Sequence, residues 1–300
     1  MKTRILSPKD GFLGLEASAP PAGSPDARAR IIMFGLERSV SYGSGTKDGP
    51  AAMIEASHQV ELFDEEFWCE PVNDFAVETI EATDIATGGD DALTQLAGLV
   101  DDALKSGAFP FVFGGEHAIT PGAIRPFVDR HPDLVLLHLD AHADLRDSYD
   151  GDRLSHASAI RRCLDAPKLE VVSVGIRNIS AEEIPFLEAN RSRIHIHWGK
   201  DKASWNLDEM LAPLAGRPVY VTFDIDAFDT SLMPATGTPE PGGLFWDDAV
   251  KILRAAAARG RIVGCDINEL APIPGQGGYD FVAAKLAYKM LAYRFSRPRA

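Results

Sequence analysis

Residues 134–144 read LVLLHLDAHAD: a short apolar run that ends in three alternating ligand-type side chains, Asp140, His142 and Asp144. A run so short and so uniformly apolar reads as a strand buried on both faces, as in a parallel sheet covered by helices. Runs of the same kind recur at 31–36, 109–113, 170–174, 194–198, 219–223 and 262–267, with a weaker one near 76–80. Helical patterns lie between them. Pro50 stands in the first turn of one, and Leu93, Leu96, Leu99, Val100 and Leu104 mark another over 90–106, with Gly107 as its stop. Further helices are expected at 121–131, 156–165, 180–190, 206–214, 246–259 and 280–295. About eight strand–helix units imply an α/β domain with a mainly parallel sheet and helices on both faces.

In such sheets ligands bind at the carboxyl ends of the strands, and that is where this chain puts its polar residues. The run at 109–113 leads into GGEHAIT with His117, and 219–223 leads into DIDAFD with Asp224, Asp226 and Asp229. The run at 262–267 leads into NELAP with Glu269. In extended chain, residues i, i+2 and i+4 share a side, so Asp140, His142 and Asp144 are expected to converge, as are Asp224 and Asp226.

Four carboxylates and two imidazoles gathered this way need a cation, since closely packed anions cannot all stay ionised alone. Neither Lys nor Arg is interleaved. Without thiolates the set does not suit structural zinc; oxygen-rich ligation with two imidazoles suits Mn2+, with Ni2+, Co2+ or Fe2+ as alternatives. Six ligands exceed the need of one open catalytic ion and match two ions with bridging carboxylates. His138, His195 and His197 lie inside strand-like runs and read as packed histidines, while His58 and His131 read as surface or packing residues.

The 300 residues carry 44 acidic and 30 basic side chains, a formal charge of −14. That balance argues against sequence-independent nucleic-acid binding and against an anionic membrane surface. No apolar stretch is long enough for a membrane span or a signal peptide. Three scattered cysteines, Cys69, Cys163 and Cys265, form no disulfide framework and fit a reducing cytoplasm. The Ala-, Pro-, Gly- and Ser-rich stretch 17–30 reads as loop. The expected organisation is an N-terminal arm over 1–30 and a single catalytic domain over 31–300.

Taken in order, GGEHAIT, LHLDAHADLRD, SHASAIRR, TFDIDAFD with ATGTPEPGG, and NELAP resemble the ureohydrolase family of arginases and agmatinases, most closely bacterial and archaeal agmatinases. The similarity runs from about residue 31 to 295 and includes SYGSGTKDGPAAMIEAS at 41–57. It implies a three-layer α/β/α sandwich with an eight-stranded parallel sheet, two Mn2+ per chain, and hydrolysis of a guanidinium group to urea and an amine. Carried over by motif, His117, Asp140, Asp144 and Asp224 would hold one ion and His142, Asp140, Asp224 and Asp226 the other. A bridging hydroxide would attack the guanidinium carbon, oriented by Asp144. Glu269 would bind the guanidinium and His156 would pass a proton to the leaving amine. The resemblance also implies trimers or hexamers.

Two positions depart from the family pattern, Ala235 and Thr230, both in a loop beyond the ligands. The loop LRDSYDGDRLSH lacks the arginase pattern for the α-amino acid end, which disfavours arginine. Asp150 or Asp152 could attract the second cation of agmatine, which makes agmatine the leading substrate. Arg153 could instead receive the carboxylate of guanidinobutyrate or guanidinopropionate. A single-metal deacetylase of the same general fold is the alternative from another enzyme class.

Overall fold

The computed structural model describes residues 2–21, 24 and 27–297. Among the described residues nine strands form one sheet: β1 (Thr3–Ile5), β2 (Arg28–Phe34), β3 (Ala76–Ala82), β4 (Phe109–Gly114), β5 (Val135–Leu139), β6 (Glu170–Ile176), β7 (Ile194–Trp198), β8 (Pro218–Asp224) and β9 (Arg261–Asn268). Their order across the sheet is β1-β3-β2-β4-β9-β8-β5-β6-β7. The eight strands expected from the sequence are β2 to β9, and they are parallel. One strand was not expected: β1, in the N-terminal arm, pairs antiparallel with β3. Three exposed residues carry no apolar signature, so this edge strand is held by ladder hydrogen bonds rather than by burial. The loop expected over 17–30 lies partly outside the described residues, at 22, 23, 25 and 26, and Arg28 already belongs to β2.

Helices cover both faces. α2 (Gly89–Lys105) buries Leu93, Leu96, Leu99 and Val100 on one stripe, with Asp90 and Asp91 in its first turn and Lys105 in its last, each sign favouring its end of the helix dipole. With α3 (Thr120–Arg130), α4 (Ala159–Cys163) and α5 (Ile184–Ala189) it packs against Ile32, Val112, Leu136 and Tyr220. On the opposite face α1 (Gly49–Ser57), α6 (Trp246–Arg259) and α7 (Gly278–Phe295) pack against Ile31, Phe111, Leu137 and Val221. Odd and even strand residues thus feed two separate cores, as period-two geometry requires. Among the described residues no helix is long and apolar enough to cross a membrane.

The consequence for function lies in the strand order. The four strands whose ends carry the polar motifs, β4, β9, β8 and β5, are contiguous in the middle of the sheet. Their carboxyl ends therefore open onto one patch.

Candidate metal centre

The candidate ligands leave regular strand geometry almost at once. β5 ends at Leu139, and beyond it the backbone amides of Ala141 and His142 donate to the carboxylates of Asp226 (3.1 Å) and Asp140 (2.5 Å). Asp144 takes a left-handed conformation, φ +52°. After β8 the chain enters a 3-10 turn in which the Asp226 amide donates to Asp224 Oδ1 at 2.9 Å. Side-chain carboxylates capture the amides that a longer strand would have paired, so convergence comes from these turns rather than from the extended alternation expected. Ala141 and Ala143 are buried and leave room for them.

His117 Nδ1 lies 3.0 Å from Asp140 Oδ2, 3.2 Å from Asp224 Oδ2 and 3.3 Å from Asp144 Oδ2. His142 Nδ1 lies 3.0 Å from Asp226 Oδ2 and 3.6 Å from Asp140 Oδ1. Asp140 therefore turns one oxygen to each imidazole. Two groups of ligand atoms result, His117, His138, Asp140 and Asp144 in one and Asp140, His142 and Asp226 in the other; within each group every ligand atom lies within 4.8 Å of the rest. His117 Nδ1 is buried with no hydrogen-bond partner, despite three carboxylate oxygens around it. A buried lone nitrogen ringed by anions, with carboxylate and imidazole donors and no thiolate, fits a hard or borderline divalent cation.

The electrostatics agree. Burial works to lower the pKa of His117, but Asp140, Asp144 and Asp224 outweigh it and hold it well above the usual histidine value. Burial is likewise overcome at His142, which Asp226 and Asp140 push up to about 12. Burial raises Asp224 well above the carboxylate range, and the charges of Asp226 and Asp140 add to it. The chain alone draws positive charge into the cluster.

Glu269 stands beside it, also left-handed at φ +66° and only 8% exposed. Its amide donates to the Gly115 carbonyl at 2.7 Å, and its Oε1 accepts from the His117 amide at 2.6 Å. Burial pushes its carboxyl well above the usual range. His156 opens a 3-10 turn, and its two ring nitrogens meet Ser39 Oγ at 3.2 Å and Ser41 Oγ at 2.8 Å. Its ring and that of Tyr149 meet in a T-shaped contact, centroids 5.6 Å apart. His117, His142, Asp144, Asp224, Asp226, Glu269 and His156 all line one open pocket.

The structure does not bring Asp150, Asp152 and Arg153 to that pocket. Asp152 pairs with Arg38, and its Oδ1 accepts from the Leu154 amide at 2.8 Å. Asp150 forms the left-handed corner of a tight turn bridged by Tyr149 and Asp152. Arg153 reaches outward to Asp147 at 3.5 Å. The loop instead presents Arg146 and Tyr149 to the pocket, with Arg146 paired to Glu182.

Several residues were missed from sequence. Ser39 and Ser41 belong to a loop fixed by Glu116, whose Oε2 accepts from the Arg38 and Ser39 amides at 2.9 and 2.6 Å. His138, expected as a packed core histidine, is fully buried and also places Nε2 2.7 Å from Asp140 Oδ2. His195 and His197 are only half-buried; His195 meets Glu170 at 2.8 Å. Asp229 points away from the cluster to the Ser231, Gly242 and Gly243 amides. Ala235 is buried, and its carbonyl accepts from the Ala271 amide at 2.9 Å.

This fold and this cluster define a metal-dependent hydrolase of the α/β class, and comparison with known proteins makes the class specific. Residues 27–292 match the arginase family, and the chain belongs to it. N(1)-aminopropylagmatine ureohydrolase of Synechocystis sp. is 34% identical over 277 residues, covering 89% of each chain. Agmatinase of Bacillus cereus is 34% identical over 274 residues, covering 88% of this chain and 91% of its own. Proclavaminate amidino hydrolase of Streptomyces clavuligerus shares the fold with a TM-score of 0.84 at 23% identity, over 97% of this chain and 98% of its own. The chain is therefore a ureohydrolase, an enzyme acting on C–N bonds of amidines, in a family that uses a binuclear metal centre on guanidino substrates. Membership in that family sets the deacetylase alternative aside.

Proposed function

We propose that this enzyme hydrolyses agmatine, or a longer guanidino amine of the same kind, to urea and the free amine, with two Mn2+ per chain. The observation that carries the reading is His117 Nδ1, buried and unpartnered among three carboxylate oxygens. His117, Asp140, Asp144 and Asp224 would hold one ion; His142, Asp140, Asp224 and Asp226 would hold the other. The pair supplies Lewis acidity that makes water nucleophilic near neutral pH.

The chain's own residues do the rest. A guanidinium is a planar, resonance-stabilised cation and a poor electrophile, so its approach must be fixed. Glu269 offers a carboxylate for charge-assisted hydrogen bonds to its N–H groups, and the His117 amide holds that carboxylate in place. Asp144 faces the same pocket and can orient the attacking water. The amine leaves well only when protonated. His156 can deliver that proton, since Ser39 and Ser41 contact both ring nitrogens and hold the ring.

A cationic tail fits the part of the pocket where Arg146 is already paired to Glu182 and Glu183 adds a carboxylate. The similarity to an agmatinase and to an aminopropylagmatine ureohydrolase supports the same class. Arg146 also supports a second reading, a guanidino acid whose carboxylate it would receive in place of Glu182. Three buried, unpaired cysteines support a cytoplasmic setting. A homo-oligomer of three or six chains completes the proposal, to be checked by sedimentation. Urea release with Mn2+ across agmatine, aminopropylagmatine, guanidinobutyrate, guanidinopropionate and arginine tests the substrate. Turnover of the two amines above the acids is expected; urea from none of the five overturns the proposal.

A further inference from the structure

Beneath the ligand layer the sheet carries a second polar row. Strand register pairs Asp266 of β9 with Thr222 of β8, Thr222 with His138 of β5, and His138 with Ser173 of β6. All four are at most 2% exposed. A row of polar side chains in the core is costly unless every group is paired.

Asp266 is hydrogen-bonded through both oxygens. Its Oδ1 accepts from Thr222 Oγ1 at 2.6 Å and Asn268 Nδ2 at 2.7 Å, and its Oδ2 accepts from the Tyr220 hydroxyl at 2.9 Å and Thr120 Oγ1 at 3.1 Å. Three of these donors have Asp266 as their partner, and the Thr120 hydroxyl is shared between Asp266 Oδ2 and Thr222 Oγ1, 3.2 Å away. Thr222 has one hydroxyl proton and gives it to Asp266. Its oxygen can then only accept from His117 Nε2, 2.8 Å away. Accepting there places the neutral ring's proton on Nε2 and leaves Nδ1 a bare lone pair, the atom that faces Asp140, Asp144 and Asp224.

We infer that Asp266, acting through Thr222, is a positioning residue that sets the tautomer of His117 and so the affinity of the metal centre. The inference rests on the metal assignment made above. A network that only satisfied buried polar groups would affect folding stability and leave metal affinity alone. Groups that orient a ligating imidazole are typically worth about 10–100-fold in metal affinity.

The experiment is Mn2+ titration by calorimetry on the full chain, for wild type, Thr222→Val and Thr222→Ser. Thr222→Val is expected to bind Mn2+ roughly 10–100-fold more weakly, and Thr222→Ser, which keeps the hydroxyl, is expected to restore wild-type affinity. In parallel, 15N NMR of histidine-labelled wild type loaded with diamagnetic Zn2+ should find His117 protonated at Nε2. A wild type that binds no divalent ion defeats the metal assignment itself. A wild type that binds two ions while Thr222→Val matches its affinity defeats the inference, as does a His117 protonated at Nδ1. If Thr222→Val does not fold, Thr222→Ala, which also lacks the hydroxyl, is read by the same titration.

Discussion

The backbone amide of His117 donates to Oε1 of Glu269 across 2.6 Å. One residue thus supplies an imidazole to the candidate metal cluster and holds the carboxylate proposed to receive the guanidinium. Glu269→Gln keeps an acceptor for that amide and removes the charge. Loss of a hydrogen bond to a charged group, about 1.5–3 kcal/mol, should lower kcat/KM by about 10–150-fold. Bound metal, measured by mass spectrometry, should stay at the wild-type level. Steady-state kinetics with unchanged kcat/KM would refute the role of Glu269.

Asp140 turns Oδ2 to His117 and Oδ1 to His142. Asp140→Asn should therefore weaken both ions together, so that dialysed protein retains less than one metal ion per chain and activity falls by at least about 10³-fold. Retention of two ions would show that Asp140 does not bridge.

His156 touches Ser39 and Ser41 but none of the cluster ligands. His156→Ala should lower kcat by about 10²–10⁴-fold with metal content unchanged, the usual loss when a positioned acid is removed. A variant with wild-type kcat would assign proton transfer elsewhere.

Asp229 accepts from the Ser231 hydroxyl and amide and from the Gly242 and Gly243 amides, fixing the loop that carries Gly237 and Thr238 to the pocket. The Ser231 hydroxyl foremost, with these amides, depresses its pKa to about 2. A depressed carboxylate contributes stability above its unfolded value, near 4, and that contribution fades as pH falls through about 2. Discounted for solvent, the effect is about 1 kcal/mol at neutral pH. Asp229→Asn should show that loss in urea unfolding at pH 7 and converge on wild type toward pH 2. A gap that stays constant with pH would exclude ionisation as its source.

Much of the fold and of the candidate site was legible because the candidate residues lie within a few residues of strand ends. Asp140, Asp224 and Glu269 each stand within one residue of a strand whose apolar run is unmistakable. What was not legible depends on pairing across long sequence separations. Asp152 reads as a pocket acid until Arg38, 114 residues away, is seen to claim it. His138 reads as core until strand register sets it beside Thr222 and Ser173. Ser39 and Ser41 meet His156 only because Glu116 holds their loop. The left-handed backbone at Asp144 and Glu269, rare for residues with side chains, left no mark in the sequence.

The placement of β9 between β4 and β8 bears on how the enzyme comes into being. His117 follows β4 and Asp224 ends β8, and these two strands do not pair with each other; Arg261–Asn268 is the wedge that joins them. A ribosome-bound chain holds all six candidate ligands once residue 226 has emerged; five of them end or follow the paired strands β5 and β8, but His117 has no wall in common with them. The centre closes only when the last strand inserts, the kind of non-local pairing that forms late. A complete pair of ions would then mark completed folding, and a chain truncated before residue 261 should not bind the ion assigned to His117.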